Sequence, residues 1–259
     1  MRKNIAQRHS YILEQLKNDN YVKVQDLSEQ LDVSEVTIRK DLKYLEEKRL
    51  LSRNYGYASN LPTIIPDRHI DVKEKIQVDE KIRIAQAAKD LIEPNDKIII
   101  ASGTTTLAFA NIINELNIPL TVITPSIKVS LALCYNPNIE IIQLGGTMRK
   151  NAASVIGNEA EQMLSNVSCN KLFFGIDGLD IEYGMTTSSF SEAYIHQQMI
   201  NSSREIIVLA DSTKFGRRGF CKICNIDKVH HIVTDSNAPS NIIGMLRESE
   251  VEVTIASEN

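Results

Sequence analysis

Five segments hold most of the chemistry-bearing residues of this chain, and each follows an apolar run. The first is Ser102-Gly103-Thr104-Thr105-Thr106 after 97-KIIIA-101, and the second is Pro125-Ser126 after 120-LTVIT-124. Gly145-Gly146-Thr147-Met148-Arg149-Lys150 follows 139-IEIIQL-144. Asp177-Gly178, and then Gly184-Met185-Thr186-Thr187, follow 171-KLFFGI-176. Asp211-Ser212-Thr213-Lys214-Phe215-Gly216-Arg217-Arg218 follows 205-EIIVLA-210. Behind the first segment comes a stretch with helical apolar spacing. A strand-turn-helix of this kind aims backbone N–H groups and hydroxyls at one spot beside the positive end of a helix. That spot suits an anion, most simply a phosphate. One such loop is ordinary, because turns between strands and helices often contain Gly and Ser. Five on one rim, two of them with cations, are harder to dismiss. Neither G-x-G-x-x-G nor G-x-x-x-x-G-K-[ST] occurs, so dinucleotide and P-loop nucleotide sites are unsupported.

The elements that must position these loops are strands at 97–101, 120–124, 139–144, 171–176, 205–210, 230–234 and 251–255. Helical segments at 104–115, 126–134, 188–202 and 239–248 lie between them. Continuous apolar runs suit parallel strands buried on both faces. The pattern predicts an α/β doubly wound body over 78–259, with its ligand beyond the C-terminal strand ends. A helix is expected at 78–96, where Ile82, Ala85, Ala88, Leu91 and Ile92 share a face and Pro94 ends it. Residues 60–77 contain two prolines and no clear period, and read as a linker.

Residues 1–59 differ in kind. Ile5, Ile12, Leu13 and Leu16 give a helix over 4–18, followed by a short strand at 21–24 and a short helix at 25–31. The turn 32-DVS-34 supplies Ser34 as an N-cap for a helix over 35–50, with Ile38, Leu42 and Leu45 inward. The segment 51-LSRNYGYAS-59 fits a β-hairpin wing. Charge alone would allow a solvated basic helix in a small bundle, but this order of elements is that of a winged helix-turn-helix. Its DNA-contacting residues are expected to be Ser34, Glu35, Val36, Thr37, Arg39, Lys40 and Lys43, with Arg53 and Tyr55 from the wing. Early side chains of such a helix reach base edges, and cations and hydroxyls hold phosphates.

The stretch VSEVTIRKDLKYLEEKRLLSRNYGYA resembles the DNA-binding end of the DeoR/GlpR-type bacterial transcriptional repressors. That pattern has a valine-serine turn, a Thr-Ile-Arg-Arg-Asp-Leu run, a leucine-glutamate turn of helix, and a wing of the form Arg-x-Tyr/His-Gly-Gly. Here Arg53–Gly56 matches, Tyr57 replaces the second glycine, and Lys23 stands where a capping Ser is usual. The body resembles the effector domain of the same family along its whole length, through SGTTT, LGGTMRK, GIDG, YGMTTSSFSEA and LADSTKFGRRGF. The resemblance implies a mostly parallel sheet similar to that of ribose-5-phosphate isomerase, and a pocket for a phosphorylated sugar. It implies that Ser102, Gly103, Thr104 and Thr105 cradle phosphate, with Lys214 adding charge and Arg149 as a second cation. Asp177, Glu192 and Asp211 would accept from sugar hydroxyls or orient Lys214. Ser126, Gly145, Gly146, Gly178, Thr186 and Thr187 would complete the lining. Two positions depart from the family: Ala101 replaces an Asp and Pro125 an Asn, which should alter the ligand or weaken the response.

Composition fits this reading. The chain is 42% hydrophobic and 24% charged, ordinary values for a globular protein. The net charge of −4 is uneven. Residues 1–60 carry eleven Lys/Arg against nine Asp/Glu, and the rest eighteen against twenty-four, so a polyanion partner should bind the head. No signal peptide or membrane-length apolar run is recognised, and a cytoplasmic protein is expected. Cys221 and Cys224 form a CxxC without a second pair, and read as reduced thiols on a strand. His230 and His231 are adjacent on a strand and make a poor metal pair. No metal or cofactor is expected. The expected partners are operator double-stranded DNA, a sugar phosphate and a second copy of the chain, as a homodimer or homotetramer. An isomerase with an accessory head is the competing reading; Asp177, Glu192 and Lys214 could serve it, but a helix-turn-helix has no evident use there.

Overall fold

The computed structural model describes residues 4–19, 21–48, 50–54, 56–59 and 65–257. Tyr55 and residues 60–64, expected in the wing and linker, lie outside them. The chain divides into two compact units, Met1–Ile64 and Ile65–Asn259.

In the first unit, α1 (Ile5–Asp19), β1 (Tyr21–Lys23), α2 (Val24–Leu31) and α3 (Glu35–Glu47) precede β2 (Ser52–Asn54) and β3 (Tyr57–Ser59). The apolar stripes of the helices meet in a core of Ile12, Leu16, Leu27, Leu31, Ile38, Leu42, Leu45 and Leu51. Asp32 takes a left-handed conformation and stops α2, and the Ser28 hydroxyl donates to Val33 O at 2.6 Å. Ser34 then caps α3 by accepting from the Thr37 N–H. The strands form an antiparallel sheet in the order β1-β3-β2, so the wing is present as expected. α3 is shorter than the sequence suggests, ending at Glu47.

The second unit begins earlier than expected. Residues 65–77, read from sequence as linker, belong to it and contain α4 (Ile70–Glu74). Ion pairs described below hold this segment, and periodicity cannot reveal them. α5 (Val78–Ala88) follows, then a short tight turn at Lys89–Leu91, so the expected helix over 78–96 ends early.

From there strands and helices alternate: β4 (Lys97–Ile100), α6 (Thr104–Ile113), β5 (Leu120–Thr124), α7 (Ile127–Leu133) and β6 (Ile139–Gln143). A hairpin of β7 (Thr147–Arg149) and β8 (Ser154–Ile156) leads to α8 (Asn158–Ser165) and β9 (Cys169–Phe174). β10 (Gly178–Asp180), β11 (Gly184–Thr187), α9 (Phe190–Asn201), β12 (Ser203–Leu209) and β13 (Cys221–Cys224) come next. β14 (His231–Asp235), α10 (Ser240–Glu248) and β15 (Glu252–Ala256) complete the chain.

Seven strands form one sheet, β15-β14-β12-β9-β4-β5-β6, and every neighbouring pair is parallel. Its centre is apolar on both faces, with Ile98, Ile99, Ile100, Leu172, Phe173 and Phe174 fully buried. From β4 the chain builds outward through β5 and β6, then returns to lay β9 on the other side of β4. The β4–β9 border is therefore the topological switch point, where open α/β sheets bind ligands beyond the strand ends. The loops that leave this border carry Ser102 and Asp177. A second sheet, β10-β11-β13, is antiparallel and small.

Candidate functional site

On the head, α3 exposes Glu35, Val36, Arg39, Lys40 and Lys43 and half-exposes Thr37. Arg39 Nη2 meets Glu35 Oε2 at 2.6 Å, one turn away, with both side chains exposed. Such a pair is weak, so Arg39 can exchange it for a DNA phosphate or base. The Arg53 N–H donates to Glu46 Oε1 at 2.9 Å, which fixes the wing against the end of α3. A tie that leaves no pattern in the sequence sets the position of α3. Asp41 is buried and accepts from Arg8 Nε at 2.7 Å and Nη2 at 3.0 Å, with His9 Nε2 at 3.1 Å. Charge-assisted bonds of this kind are short and directional, and they lock α1 to the back of α3.

On the body, the loop after β4 has the character expected of an anion cradle. Gly103 takes φ 153° ahead of α6, and Thr106 Oγ1 donates to Gly103 O at 3.0 Å, closing the turn. The N–H groups of Ser102 to Thr106 and the hydroxyls of Ser102, Thr104 and Thr105 donate to no acceptor among the described residues. They sit at the α6 N-terminus, where the first N–H groups have no helical partner.

Charged groups gather at the neighbouring strand ends. Asp177 is buried, and its Oδ1 lies 2.7 Å from Lys73 Nζ. Its Oδ2 accepts the Ser188 N–H at 3.0 Å and hydroxyl at 2.8 Å. Burial would raise the Asp177 pKa; Lys73, then Ser188 and the field of Lys214, outweigh it and hold the carboxyl at about 2. Thr187 Oγ1 donates to Glu192 Oε2 at 2.6 Å, and Arg149 Nη2 lies 3.8 Å from that same oxygen. Lys214 Nζ lies 3.8 Å from Asp211 Oδ2, while Asp211 Oδ1 accepts the Thr213 N–H at 3.1 Å. Lys81 is buried and donates to the carbonyls of Lys73 at 2.6 Å and Ile76 at 2.5 Å. Burial lowers its pKa to about 8, with Asp211 opposing and Lys214 adding to the shift. These mutual influences join Lys73, Lys81, Asp177, Asp211 and Lys214 into one cluster.

Several residues expected to line a pocket have structural work instead. Ser126 is buried and its hydroxyl accepts from the Val129 N–H as the α7 cap. The Thr186 hydroxyl donates to Gly178 O at 2.9 Å and accepts from the Gly219 N–H at 2.7 Å. A Cβ on Gly178 would lie 2.5 Å from Arg217 O, so this glycine lets two backbones touch. Gly146, at φ 142°, would place a Cβ 2.6 Å from Ile156 O. Gly145 donates its N–H to Met163 Sδ at 3.4 Å. Free hydroxyls and amides thus concentrate at Ser102–Thr105, and charge at Arg149, Asp177, Glu192, Asp211 and Lys214. Lys73 and Lys81 join that set without having been anticipated. Lys81 was findable: it precedes Ile84, Ala85 and Ala88 on the buried face of α5, an unusual place for a lysine.

All four cysteines are free, and burial, with Asp227 adding, pushes the Cys224 thiol up to about 12, which suits an inert thiol. Among the described residues no group of His, Cys, Asp and Glu could hold a metal ion, and no helix is long and apolar enough to cross a membrane.

Comparison with known proteins matches both units. The DeoR-like helix-turn-helix domain matches residues 8–62, and the DeoR C terminal sensor domain matches residues 76–236. The chain is 33% identical over 257 residues to the putative aga operon transcriptional repressor of Escherichia coli O157:H7, covering 98% of this chain and 94% of that one. It is 28% identical over 251 residues to the glycerol-3-phosphate regulon repressor of Escherichia coli (strain K12), covering 96% and 98%. Among solved structures, ribose 5-phosphate isomerase A of Methanocaldococcus jannaschii aligns with a TM-score of 0.41 and 16% identity, over 54% of this chain and 55% of the other.

Proposed function

The chain belongs to the DeoR family of DNA-binding transcriptional regulators, and on that premise we propose that it represses a sugar-metabolism operon and is controlled by a phosphorylated sugar. The observation that carries the ligand class is the run of unengaged N–H groups and hydroxyls at Ser102–Thr105, set at the β4–β9 switch point beside a lysine cluster. In this reading the cradle takes the phosphate and Lys214 adds charge. Asp177, Glu192 and Asp211 accept from sugar hydroxyls, and Arg149 holds a second anionic or polar group. The two relatives named for an aga operon and a glycerol-3-phosphate regulon support control of carbohydrate genes. The working form is taken as a cytoplasmic homodimer or homotetramer, because helix-turn-helix proteins read paired half-sites.

A sensor is favoured over an isomerase by the helix-turn-helix unit and by relatives named as transcriptional repressors. Without ligand, Asp177 is engaged as an acceptor by Lys73 and Ser188.

The test is operator binding. Purified protein is mixed with DNA from upstream of its own gene cluster and titrated with sugar phosphates, each beside its unphosphorylated parent. Release by one phosphorylated sugar, and not by its parent, is the expected result. Tight DNA binding that no sugar phosphate alters would sink the sensor reading and point to Ala101 and Pro125, where the family's Asp and Asn are absent. In the same assay Arg39→Ala should weaken DNA binding by about 1–3 kcal/mol and leave ligand binding intact. Lys214→Ala should do the opposite.

A further inference from the structure

The segment that opens the second unit is held to the site by charge. Only Ile65 and Ile70 of residues 65–75 bury an apolar side chain. Its charged groups, in contrast, reach across the fold. Asp67 Oδ1 lies 2.6 Å from Arg149 Nη2, and Asp67 Oδ2 accepts from Asn151 Nδ2 at 3.2 Å. Lys73 Nζ lies 2.7 Å from Asp177, and Lys128 Nζ meets Asp71 at 2.9 Å and Glu74 at 2.6 Å. The Arg149 side chain is only 11% exposed, and its next carboxylate, Glu192, stands off at 3.8 Å. Asp67 is therefore the principal anion on a nearly buried guanidinium. It meets Arg149 and Asn151 with two oxygens, as a bound carboxylate or phosphate would.

We propose that Arg149 and Asn151 form an anion subsite whose resident occupant is the Asp67 carboxylate, and that an anionic ligand binds there by displacing Asp67 and freeing the strap of residues 65–74. The inference rests on the reading that the body takes an anionic sugar, and adds where part of its charge goes and what it must evict. Lys73 makes the same exchange on the other side: its ammonium occupies Asp177, an acceptor that sugar hydroxyls would otherwise use. Both side chains lie on the strap, so a ligand that takes both places removes two of its ties at once. The strap is the first part of this unit in the chain and continues directly from the DNA-binding unit. Release of its ties is thus a local event in the part of this unit that follows the DNA-binding unit in sequence.

The test uses the full chain, wild type beside Asp67→Asn and Arg149→Gln, with two readouts. Calorimetric titration with inorganic phosphate and with sugar phosphates measures anion binding, and its change between variants reads the subsite apart from the Ser102–Thr105 cradle. Hydrogen exchange of the α4 amides, without ligand, measures the strap. Asp67→Asn should bind the anion about tenfold more tightly, because an occupied state no longer competes with it. It should also speed α4 exchange several-fold, while Arg149→Gln should speed exchange and weaken anion binding without abolishing it, since the Ser102–Thr105 cradle remains. Asp67→Asn that leaves both affinity and exchange unchanged overturns the proposal, even where sugar phosphate still releases DNA from the wild type. Faster α4 exchange and tighter inorganic phosphate binding, with no response to any sugar phosphate, uphold the subsite and overturn the sugar-phosphate reading instead. Weaker anion binding by Asp67→Asn makes Asp67 a supporting residue for the ligand and overturns the proposal.

Discussion

Replacing Lys73 by Met removes the ammonium that Asp177 depends on and leaves a side chain of similar length. In the wild type, burial alone would raise the Asp177 pKa above its ordinary 3.8, yet the carboxyl sits at about 2. The net downward shift corresponds to roughly 2–3 kcal/mol of stabilisation of the charged form at about 1.4 kcal/mol per unit. Because the folded pKa is depressed, this contribution is complete above the unfolded pKa and is lost as pH falls through about 2. In Lys73→Met, Ser188 and Lys214 still favour the charged carboxylate, but burial is opposed by less. The folded pKa then moves above the unfolded value, and the sign reverses: the variant regains stability as pH falls from neutral.

Hydrogen exchange of the β9 amides, in the middle of the large sheet, reports the stability of this unit without interference from the head. Lys73→Met should lower it by at least 2–3 kcal/mol at pH 7, in line with the roughly 3–5 kcal/mol that breaking a buried pair costs. The gap to wild type should narrow by about 1 kcal/mol between pH 7 and pH 4. A gap that stays constant with pH would refute the reasoning, since the loss would then have come from packing of the Lys73 stem and not from the carboxylate it serves.

Other outcomes follow from the same geometry. Asp41→Ala should destabilise the head by about 3 kcal/mol, read as a lower melting temperature and weaker operator binding, because Arg8 and His9 lose the buried carboxylate they share. Anion affinity, measured by calorimetry against pH, should fall as pH rises through about 8, where Lys81 loses its proton beside Asp211, Lys214, Glu74 and Lys73. Lys81→Met should abolish that fall.

Much of the large sheet was legible because its strands are buried on both faces. Runs such as Ile98–Ile100 and Leu172–Phe174 admit few alternatives, and the switch point followed from their order. The head was legible for a related reason: Leu27, Leu31, Ile38, Leu42 and Leu45 fall at helical spacing, and Ser34 marks the start of α3. The second sheet was not. β10 and β11 are short, and β11 buries two threonines whose hydroxyls donate to Gly178 of β10 and Glu192 of α9, so they read as turns. The β7–β8 hairpin hid for the same reason. The strap has the sequence character of a linker because an ion pair leaves no period in a sequence. Lys73 and Asp177 are 104 residues apart, and Asp67 and Arg149 are 82.

These pairings have a consequence for control. A site built only from free cations would bind any anion, and binding alone shifts no equilibrium between two states. Here the cations that should favour a phosphorylated ligand already have internal partners: Arg149 has Asp67, Lys73 has Asp177 and Lys214 has Asp211. A ligand must therefore replace contacts, and each replacement lowers its net affinity. What is lost in affinity is gained as differential interaction, because the displaced groups Asp67 and Lys73 belong to the segment leading to the DNA-binding unit. A coupling of about 1–3 kcal/mol between sites is typical of allosteric proteins. The exchange of these two ion pairs for ligand contacts, and not their outright loss, supplies that difference. Ser102–Thr105 stands apart from this exchange, since its amides and hydroxyls donate to no partner among the described residues. On these grounds the cradle supplies affinity for the phosphate, and the paired charges around Arg149 and Asp177 supply the response.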